Sequence, residues 1–361
     1  MRLHILGLPH TITTEQFSHC AFTGKVKKFS PMMRNIGYEV WHYGVEGAES
    51  GADVQVDVMS RAEQIGLTGH DHSDPTKFHG DDANVGNALY RTYNTKLRPL
   101  LEQNVGSLDI VCHPFGHAHV GYAETHRGQN VETGIGYPTT AYDLRVYESR
   151  AWQAWHQGKY GRGGTGYEWV IPNYFVADDW PTQTSPEDYV LYFGRICDIK
   201  GLPTIVEMAR AMPHQRFVIC GQGNPTPYLK TPNIEYRKPV LGKERAPLLG
   251  NAKLVVMPTN YIEPFGGVAV EAMMTGTPVA AVPYGVFPET IWHGVTGWHC
   301  RTLHDWIQAV ALASELERPT IAQVARAKYS LEAVAPEYDR VFQMVRGLRT
   351  GKDWYSFPAS F

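Results

Sequence analysis

Two carboxylates frame a short glycine-rich stretch, EPFGGVAVE, eight residues apart at Glu263 and Glu271. Paired carboxylates can cleave a glycosidic bond as general acid and base, so a glycoside hydrolase is one interpretation. Pro264 cannot lie inside a helix, which places Glu263 on a loop and Glu271 in the first turns of the following helix. The alternative is that both carboxylates only balance the dipole of that helix.

The backbone between the two carboxylates predicts an anion site. Gly266 and Gly267 permit a ligand to approach the main chain closely. Their N–H groups, together with that of Val268, would form the N-terminus of a helix, where anions bind readily. The stretch therefore combines two carboxylates with bare backbone amides.

A second anion-binding feature lies where a predicted strand passes into a helix. Arg195 ends the strand and Lys200 precedes the helix, so both side chains belong to the carboxyl edge of a sheet. Arginine offers a bidentate fork and lysine a point charge, and two such cations at one turn suit a diphosphate. The alternative is that the pair is solvated surface charge.

A glycine turn, Gly221 and Gly223, follows the next strand. The dinucleotide-binding fingerprint would need a third glycine where Thr226 stands, and prolines follow at Pro225 and Pro227. The sequence therefore disfavours a nicotinamide-dependent enzyme. We expect a tight turn at which a ligand approaches the backbone.

Apolar runs and segments with helical spacing alternate along both halves of the chain. Strands are predicted at 2–6, 38–43, 108–112, 188–194, 215–220, 234–236, 253–258 and 278–282. Helices are predicted at about 15–35, 84–103, 202–212, 245–249 and 268–274. This alternation indicates parallel sheets, so the fold class is α/β with two Rossmann-like, doubly wound domains. The segment 44–80, rich in Gly, Asp, Ser and His, shows no clear element.

A stretch rich in Pro, Thr and Asp at 172–186 marks the domain boundary. We predict an N-terminal domain over 1–174, a linker over 175–185 and a C-terminal domain over 186–334. In open α/β sheets ligands bind at the carboxyl ends of the strands, so the functional residues are expected there.

Composition excludes several classes of protein. No run of about 18 apolar residues could span a bilayer, and the opening MRLHILGLPH is too short for a signal-peptide core. The five cysteines are widely spaced and form no CxxC pair, which indicates a reducing compartment. A net charge of -3 gives no support for bulk electrostatic binding to nucleic acid. We expect a cytoplasmic protein, and the alternative is a cytoplasmic protein that is peripheral at a membrane surface.

Four separated motifs occur in order over about 188–300: FGRICDIKG, VICGQG, EPFGGVAVE and the segment AMMTGTPVAAVPYGVFPETIWHGVTGW. In this order they resemble the retaining, nucleotide-sugar-dependent glycosyltransferases of family 4. The resemblance implies the GT-B fold, in which two Rossmann-like domains face each other across a cleft. The first half resembles the family only in outline, through GYEVWHYG, DIVCHP and IPN at 171–173. A C-terminal helix at about 335–361 would cross back to the N-terminal, acceptor-binding domain.

The resemblance carries roles to individual residues of the second half. Arg195 and Lys200 match the family's diphosphate-binding pair. Glu271 matches the carboxylate that accepts hydrogen bonds from ribose hydroxyls, and Glu263 matches the one that faces the donor sugar. The further donor-binding positions are Gly221, Gly223, Val240, Phe265, Gly266, Gly267 and Val268. Among these, Val240 lies in Pro239–Leu241, where the base is usually found.

The first half departs from the family pattern. Only Gly7, which we predict as a further donor-binding residue, stands in the turn after the first strand, where the family has a pair of glycines. After Asp109 the histidine register is shifted, and we predict His113 as the residue near the sugar. Together with the cations Arg195 and Lys200 and the carboxylate Glu263, it completes the expected catalytic set.

The expected reaction moves a hexose or related sugar from a nucleoside-diphosphate sugar to an acceptor hydroxyl. Developing charge on the diphosphate is met by cations and amide dipoles already in place. The resemblance implies a front-face course that retains the anomeric configuration, in which the leaving phosphate takes the acceptor's proton. No DxD motif follows a strand, so neither a metal nor another cofactor is expected. The acceptor would be a glycan, a glycolipid or another hydroxyl compound; a modified nucleic acid is an alternative.

Two further interpretations stay open. Histidine clusters could ligate zinc in a metal enzyme; they comprise His113, His117, His119 and His126, and His70, Asp71, His72, Asp74 and His79. An aromatic and basic stretch over 137–169 could stack on sugars or bases in a binding module. Its members are Tyr142, Tyr147, Trp152, Trp155, Tyr160, Tyr167 and Trp169, with Arg145, Arg150, Lys159 and Arg162. Core packing and helix surface are the alternative for that stretch.

Overall fold

The chain divides into two compact units in the computed structural model, which describes residues 1–17, 20–71, 80–161 and 163–351. The first unit comprises Met1–Glu148, His156–Tyr174 and Val334–Phe361. The second comprises Ser149–Trp155 and Phe175–Ala333. Each unit is built around its own parallel sheet, which confirms the predicted fold class.

Seven parallel strands form the sheet of the first unit. They are β1 Arg2–Leu6, β2 Glu39–Val45, β3 Val54–Met59, β4 Ile110–His113, β5 Gln129–Ile135, β6 Leu144–Tyr147 and β7 Glu168–Val170. Their spatial order is β3-β2-β1-β4-β5-β6-β7. The central strands are buried almost throughout, as expected for a parallel sheet covered on both faces.

Within the described ranges, the α-helices between these strands are α1 Ala21–Asn35, α2 Arg61–Thr68, α3 Ala88–Asn104 and α4 Arg150–Tyr160. The first residues of α4 belong to the second unit. The Ser60 side chain caps α2 by accepting from the Glu63 N–H, and Asn87 caps α3 in the same way. Such caps satisfy backbone donors that the first turn leaves without a partner.

Six parallel strands form the sheet of the second unit. They are β8 Tyr189–Phe193, β9 Arg216–Cys220, β10 Ile234–Arg237, β11 Leu254–Met257, β12 Val279–Ala281 and β13 Gly297–His299, in the spatial order β10-β9-β8-β11-β12-β13. The helices are α5 Leu202–Ala211, α6 Arg245–Gly250, α7 Gly267–Met274, α8 Phe287–Thr290, α9 Leu303–Leu312 and α10 Arg318–Tyr329, followed by α11 Leu331–Arg349.

Residues 334 to 349 of α11 belong to the first unit. There the Tyr338 ring packs edge-on against Phe29 of α1, with ring centroids 4.9 Å apart. None of the helices within the described ranges has the length and apolarity needed to cross a bilayer.

The segment predicted as a linker, 175–185, does not stand apart from the second unit. Phe175 and Trp180 are buried in that unit's hydrophobic core. The Phe175 N–H donates to the Tyr329 carbonyl oxygen at 2.8 Å, which ties the segment to the end of α10. The segment therefore packs as part of the second unit.

Each sheet has one point at which the direction of strand order reverses. In the first unit it lies between β1 and β4, and in the second between β8 and β11. The loops that leave the two strands at such a point turn to opposite faces of the sheet, which opens a crevice for ligands at their carboxyl ends. The candidate residues must be sought at these two edges.

Candidate functional site

The candidate residues of the second unit lie at the switch point of its sheet. Arg195 and Lys200 follow β8, and Glu263 follows the neighbouring strand β11. The prediction that these loops meet at one sheet edge agrees with contacts between them: the Asn260 N–H donates to the Ile199 carbonyl oxygen at 2.9 Å.

Lys200 and Glu263 form an ion pair, with Nζ 2.9 Å from Oε2 and both side chains mostly buried. Tyr261 links them: its hydroxyl accepts from the Lys200 ammonium and donates to Glu263 Oε2 at 2.5 Å. The ammonium also lies 4.6 Å from the centroid of the Tyr261 ring. Burial, and after it the Glu263 charge, raises the pKa of Tyr261, so this hydroxyl keeps its proton and donates.

Arg195 is exposed, and only its backbone is held: the Tyr192 hydroxyl donates to the Arg195 carbonyl oxygen at 2.6 Å. Within the described ranges its guanidinium has no hydrogen bond or ion pair. Of the two predicted cations, Arg195 is therefore open to an anion, whereas Lys200 is already paired with a carboxylate.

The loop between the carboxylates turns sharply into α7. Gly266 caps this helix with φ 69° and ψ 53°, a left-handed conformation that a residue with a Cβ adopts only at a cost. The Phe265 ring points into the core, where it packs against Phe175 and Tyr329. The stretch can therefore bind a ligand through its backbone, by the N–H groups of Gly267 and Val268.

Glu271 lies in α7 and is 7% exposed. Its Oε2 forms an ion pair with the Arg245 guanidinium at the start of α6. That guanidinium lies over the Phe193 ring at the end of β8, 5.1 Å from the ring centroid. Arg245 therefore brings a third cation to the carboxyl edge of the sheet.

The glycine turn continues the pairing of β8 with β9. The Ile196 N–H donates to the Gln222 carbonyl oxygen at 2.7 Å, beside an isolated bridge between Ile196 and Gly223. A Cβ on Gly221 would lie 1.7 Å from the Gly194 carbonyl oxygen, so only glycine permits this approach. Val240, after β10, is half-buried against the core.

The candidate residues of the first unit lie at the switch point of their own sheet. Gly7 follows β1, and its N–H donates to the Tyr43 carbonyl oxygen at 2.7 Å. His113 ends β4 and is fully buried; its Nε2 lies 2.7 Å from Asn130 Oδ1. Burial lowers the pKa of His113 well below its usual value, so the ring is neutral. Its place near a sugar stays a prediction.

The second unit is similar to known proteins. Residues 187–315 match the model of the family described as Glycosyl transferases group 1. Over 161 residues the chain is 33% identical to the D-inositol 3-phosphate glycosyltransferase of Mycobacterium avium (strain 104), covering 39% of this chain and 37% of that protein. Over 189 residues it is 30% identical to the glycogen synthase of Mycobacterium tuberculosis (strain ATCC 25618 / H37Rv), covering 47% of this chain and 44% of that protein.

Residues 187–315, the group 1 domain, are similar to the glycosyl transferases group 1 family.

Similarity to solved structures extends over nearly the whole chain. It is similar to Anabaena Alr3699/HepE, solved in complex with UDP and glucose, with a TM-score of 0.67 and 13% sequence identity. That similarity covers 95% of this chain and 99% of the other, and at such low identity it concerns the fold alone. The chain spans less than half the length of the two curated relatives named above.

The carboxylates of the group 1 domain do not have the surroundings of a hydrolase pair. Such a pair needs one carboxyl group that holds a proton for the leaving oxygen. Here Glu263 is matched with Lys200 and Glu271 with Arg245, so each carboxylate has its own cation. The glycoside hydrolase interpretation gains no support from this geometry.

Within the described ranges, no group of three or more His, Cys, Asp or Glu is arranged to hold a metal ion. Three members of the second histidine cluster, His72, Asp74 and His79, lie outside those ranges. The metal-enzyme interpretation therefore has no support from the residues that the structure describes.

The aromatic and basic stretch is divided between core and surface. Tyr147, Trp152 and Trp169 are buried, whereas Tyr160 is exposed. The Arg145 guanidinium forms an ion pair with Glu168, with Nη1 3.0 Å from Oε1. Arg145, Tyr147, Tyr160 and Glu168 nonetheless line a polar cavity of about 270 Å³ in the first unit. Arg162 lies outside the described residues.

Sequence reasoning missed Tyr261 and Arg245, and it did not identify what Glu289 contacts. The Glu289 carboxylate accepts from the Arg150 and Ala151 N–H groups at 2.9 and 2.7 Å and so caps α4. Tyr261 lies only two residues before Glu263, which was a local signal. Arg245 could have been sought as the counter-charge that a buried Glu271 requires.

Proposed function

We propose that this chain is a retaining glycosyltransferase that moves a hexose or related sugar from a nucleoside-diphosphate sugar to an acceptor hydroxyl. The observation that carries the proposal is the set of charges at the β8–β11 edge of the group 1 domain. Arg195 and Lys200 supply the cations, and Glu263 and Glu271 flank the Gly266 turn. The UDP and glucose held by the structurally similar HepE support a donor of this class.

The roles of the cations follow from their environments. Arg195 is exposed and its guanidinium has no hydrogen bond or ion pair in the described ranges, so it is proposed to bind the diphosphate first. Lys200 is held by Glu263 and Tyr261. Its ammonium would also contact the phosphate that becomes the leaving group. The amides that open α7 would stabilise the same developing charge.

The proposed transfer needs no separate base. The bond between the anomeric carbon and the phosphate oxygen breaks, and the acceptor oxygen forms its bond on the same face of the sugar. The departing phosphate oxygen takes the acceptor's proton, so charge and atoms balance within the two substrates. Glu263 would bind hydroxyls of the donor sugar, and Glu271 those of the ribose. We propose that the reaction requires no metal, since no DxD motif follows a strand.

We further propose that the first unit binds the acceptor, a glycan, a glycolipid or another hydroxyl compound, with His113 near the transferred sugar. All five cysteines are free, which supports a reducing, cytoplasmic setting.

The test is a screen of the protein against UDP-, GDP-, ADP- and dTDP-sugars, by thermal shift and by donor hydrolysis in the presence of EDTA. We expect one donor class to stabilise the protein and to be hydrolysed slowly, with both effects reduced in Arg195→Ala. If no donor stabilises the protein and Arg195→Ala changes nothing, the proposal is wrong. Cleavage of p-nitrophenyl glycosides without any nucleotide would favour a hydrolase instead.

A further inference from the structure

Arg245 is held in one orientation by three different contacts. Its guanidinium forms an ion pair with Glu271 Oε2 and lies 5.1 Å from the centroid of the Phe193 ring and 5.9 Å from that of Trp180. Planar guanidinium groups stack on aromatic faces and grip carboxylates at their edge, which an ammonium cannot do at the same time. The position is thus built for arginine.

The Glu271 carboxylate uses only one of its oxygens. Oε2 is taken by Arg245, while Oε1 accepts no hydrogen bond from the part of the chain that the structure describes. Nor is Oε1 among the buried polar atoms that lack a partner, so it reaches the surface of this largely buried side chain. One carboxylate oxygen is therefore fixed and the other is presented to a ligand.

A buried carboxylate keeps such an orientation only while its counter-charge is present. Removal of one partner of a buried pair leaves an uncompensated charge, which then recruits water or rotates toward other donors. Among the described residues, the buried Nε of Arg245 has no hydrogen-bond partner. A buried donor without a partner is unfavourable, and the contacts with the two rings and Glu271 must offset that cost.

We propose that Arg245 is a positioning residue that orients Glu271 Oε1 toward the ribose hydroxyls and so selects ribonucleotides over nucleotides that lack those hydroxyls. This inference rests on the proposed function, because it assigns a ligand to the donor site of the group 1 domain. In this role Arg245 contacts the Glu271 carboxylate and does not contact the reacting atoms.

The test measures ribose selectivity. Titration calorimetry gives the affinity of the full chain for UDP, GDP and ADP, each beside its 2′,3′-dideoxy counterpart. Because hydrogen bonds to a charged acceptor are strong, the wild-type protein should bind its best ribonucleotide at least about tenfold more tightly than the dideoxy counterpart. In Arg245→Gln the preference should fall below about threefold, while the affinity for the dideoxy form stays nearly constant.

Arg326 offers a matched control in the same unit. Among the residues that the structure describes, its Nε is likewise buried without a partner and no carboxylate is paired with it, while its Nη2 donates to the Trp180 carbonyl oxygen at 2.9 Å. Arg326→Gln should therefore keep the full ribose preference. Arg245→Lys, which retains a charge without the fork, should show an intermediate preference; it also serves if Arg245→Gln does not fold, as judged by thermal unfolding.

Three results would overturn the inference. A ribose preference that survives unchanged in Arg245→Gln or Arg245→Lys would exclude the positioning role. Equal losses for ribo- and dideoxynucleotides would show a structural role only. A wild-type protein that binds a nucleoside diphosphate without any ribose preference would refute the inference and leave the donor site standing. Binding of none of the three nucleotides would refute the inference, and if dTDP also failed to bind, the proposed function would be refuted with it.

Discussion

The two cations after β8 should respond differently to the same substitution, because the structure places them in different surroundings. Lys200 is mostly buried and paired with Glu263 and Tyr261, whereas Arg195 is exposed and its guanidinium has no hydrogen bond or ion pair in the described ranges. Replacement of either by methionine removes one positive charge and keeps much of the side-chain volume. The pair of variants therefore separates a structural contribution from a ligand-binding one.

The size of the difference follows from the Lys200–Glu263 contact. At 2.9 Å the pair gains about 6 kcal/mol at an effective dielectric constant of roughly 20, most of which desolvation offsets. Loss of Lys200 leaves Glu263 with only the Tyr261 hydroxyl, so we expect about 2–3 kcal/mol less stability and a thermal midpoint lower by about 4–10 °C. Arg195→Met should change stability by less than about 0.5 kcal/mol.

The assay combines thermal unfolding with titration of the nucleotide found in the donor screen. Both variants should bind that nucleotide at least about tenfold more weakly, since each loses a charge-assisted contact to the diphosphate. Only Lys200→Met should unfold earlier. Equal destabilisation by the two substitutions, or undiminished nucleotide affinity in Arg195→Met, would refute the reasoning.

Three further predictions follow from the same environments. In steady-state kinetics Glu271→Ala should mainly raise the KM for the donor and Glu263→Ala mainly lower kcat; equal effects on both constants in both variants would contradict this division. Gly221→Ala should lower the free energy of unfolding, measured with denaturant, by more than about 3 kcal/mol, because its Cβ would lie 1.7 Å from a carbonyl oxygen. Gly242→Ala, at φ +53° in open space, should lower it by about 1 kcal/mol. Similar losses in the two variants would exclude the close approach at Gly221. Burial lowers the pKa of His42 to about 4. As pH falls from about 6.5 to 4, the unfolded chain therefore binds a proton at this residue that the folded chain does not bind. Up to about 3 kcal/mol of folding stability is lost over that pH range. His42→Gln should make the fall of the thermal midpoint with pH shallower, and an unchanged slope would count against it.

Much of the architecture was readable because local patterns agree with the fold. The run KLVVMP predicted a strand at 253–258, and β11 spans Leu254–Met257. The stretch after it predicted a helix at 268–274, and α7 spans Gly267–Met274. In both places a short apolar run or a glycine turn marks the element, so no knowledge of distant contacts is needed.

The segment 44–80 was not readable for a physical reason. Its strand β3, Val54–Met59, lies at the edge of the sheet and alternates between half-buried and exposed side chains before its last two residues. Glycine and polar residues on both sides dilute that period-two signal. The helix α2, Arg61–Thr68, is only eight residues long and gives little helical periodicity.

The contacts that complete the site depend on packing between distant segments. Arg245 meets Glu271 across 26 residues, and Lys200 meets Tyr261 across 61. No spacing rule connects such positions, because the first contact needs α6 to pack against α7 and the second needs β8 and β11 to be neighbours in the sheet. The sequence thus predicted the cations and carboxylates by type and edge, but not which cation holds which carboxylate.

A crystal structure with the nucleoside diphosphate selected by the donor screen tests the central claim most directly. We predict the diphosphate beside Arg195 and Lys200 at the amides that open α7, with the ribose against Glu271. A well-occupied nucleotide bound elsewhere, for example in the polar cavity of the first unit, with the β8–β11 edge empty, would contradict the account.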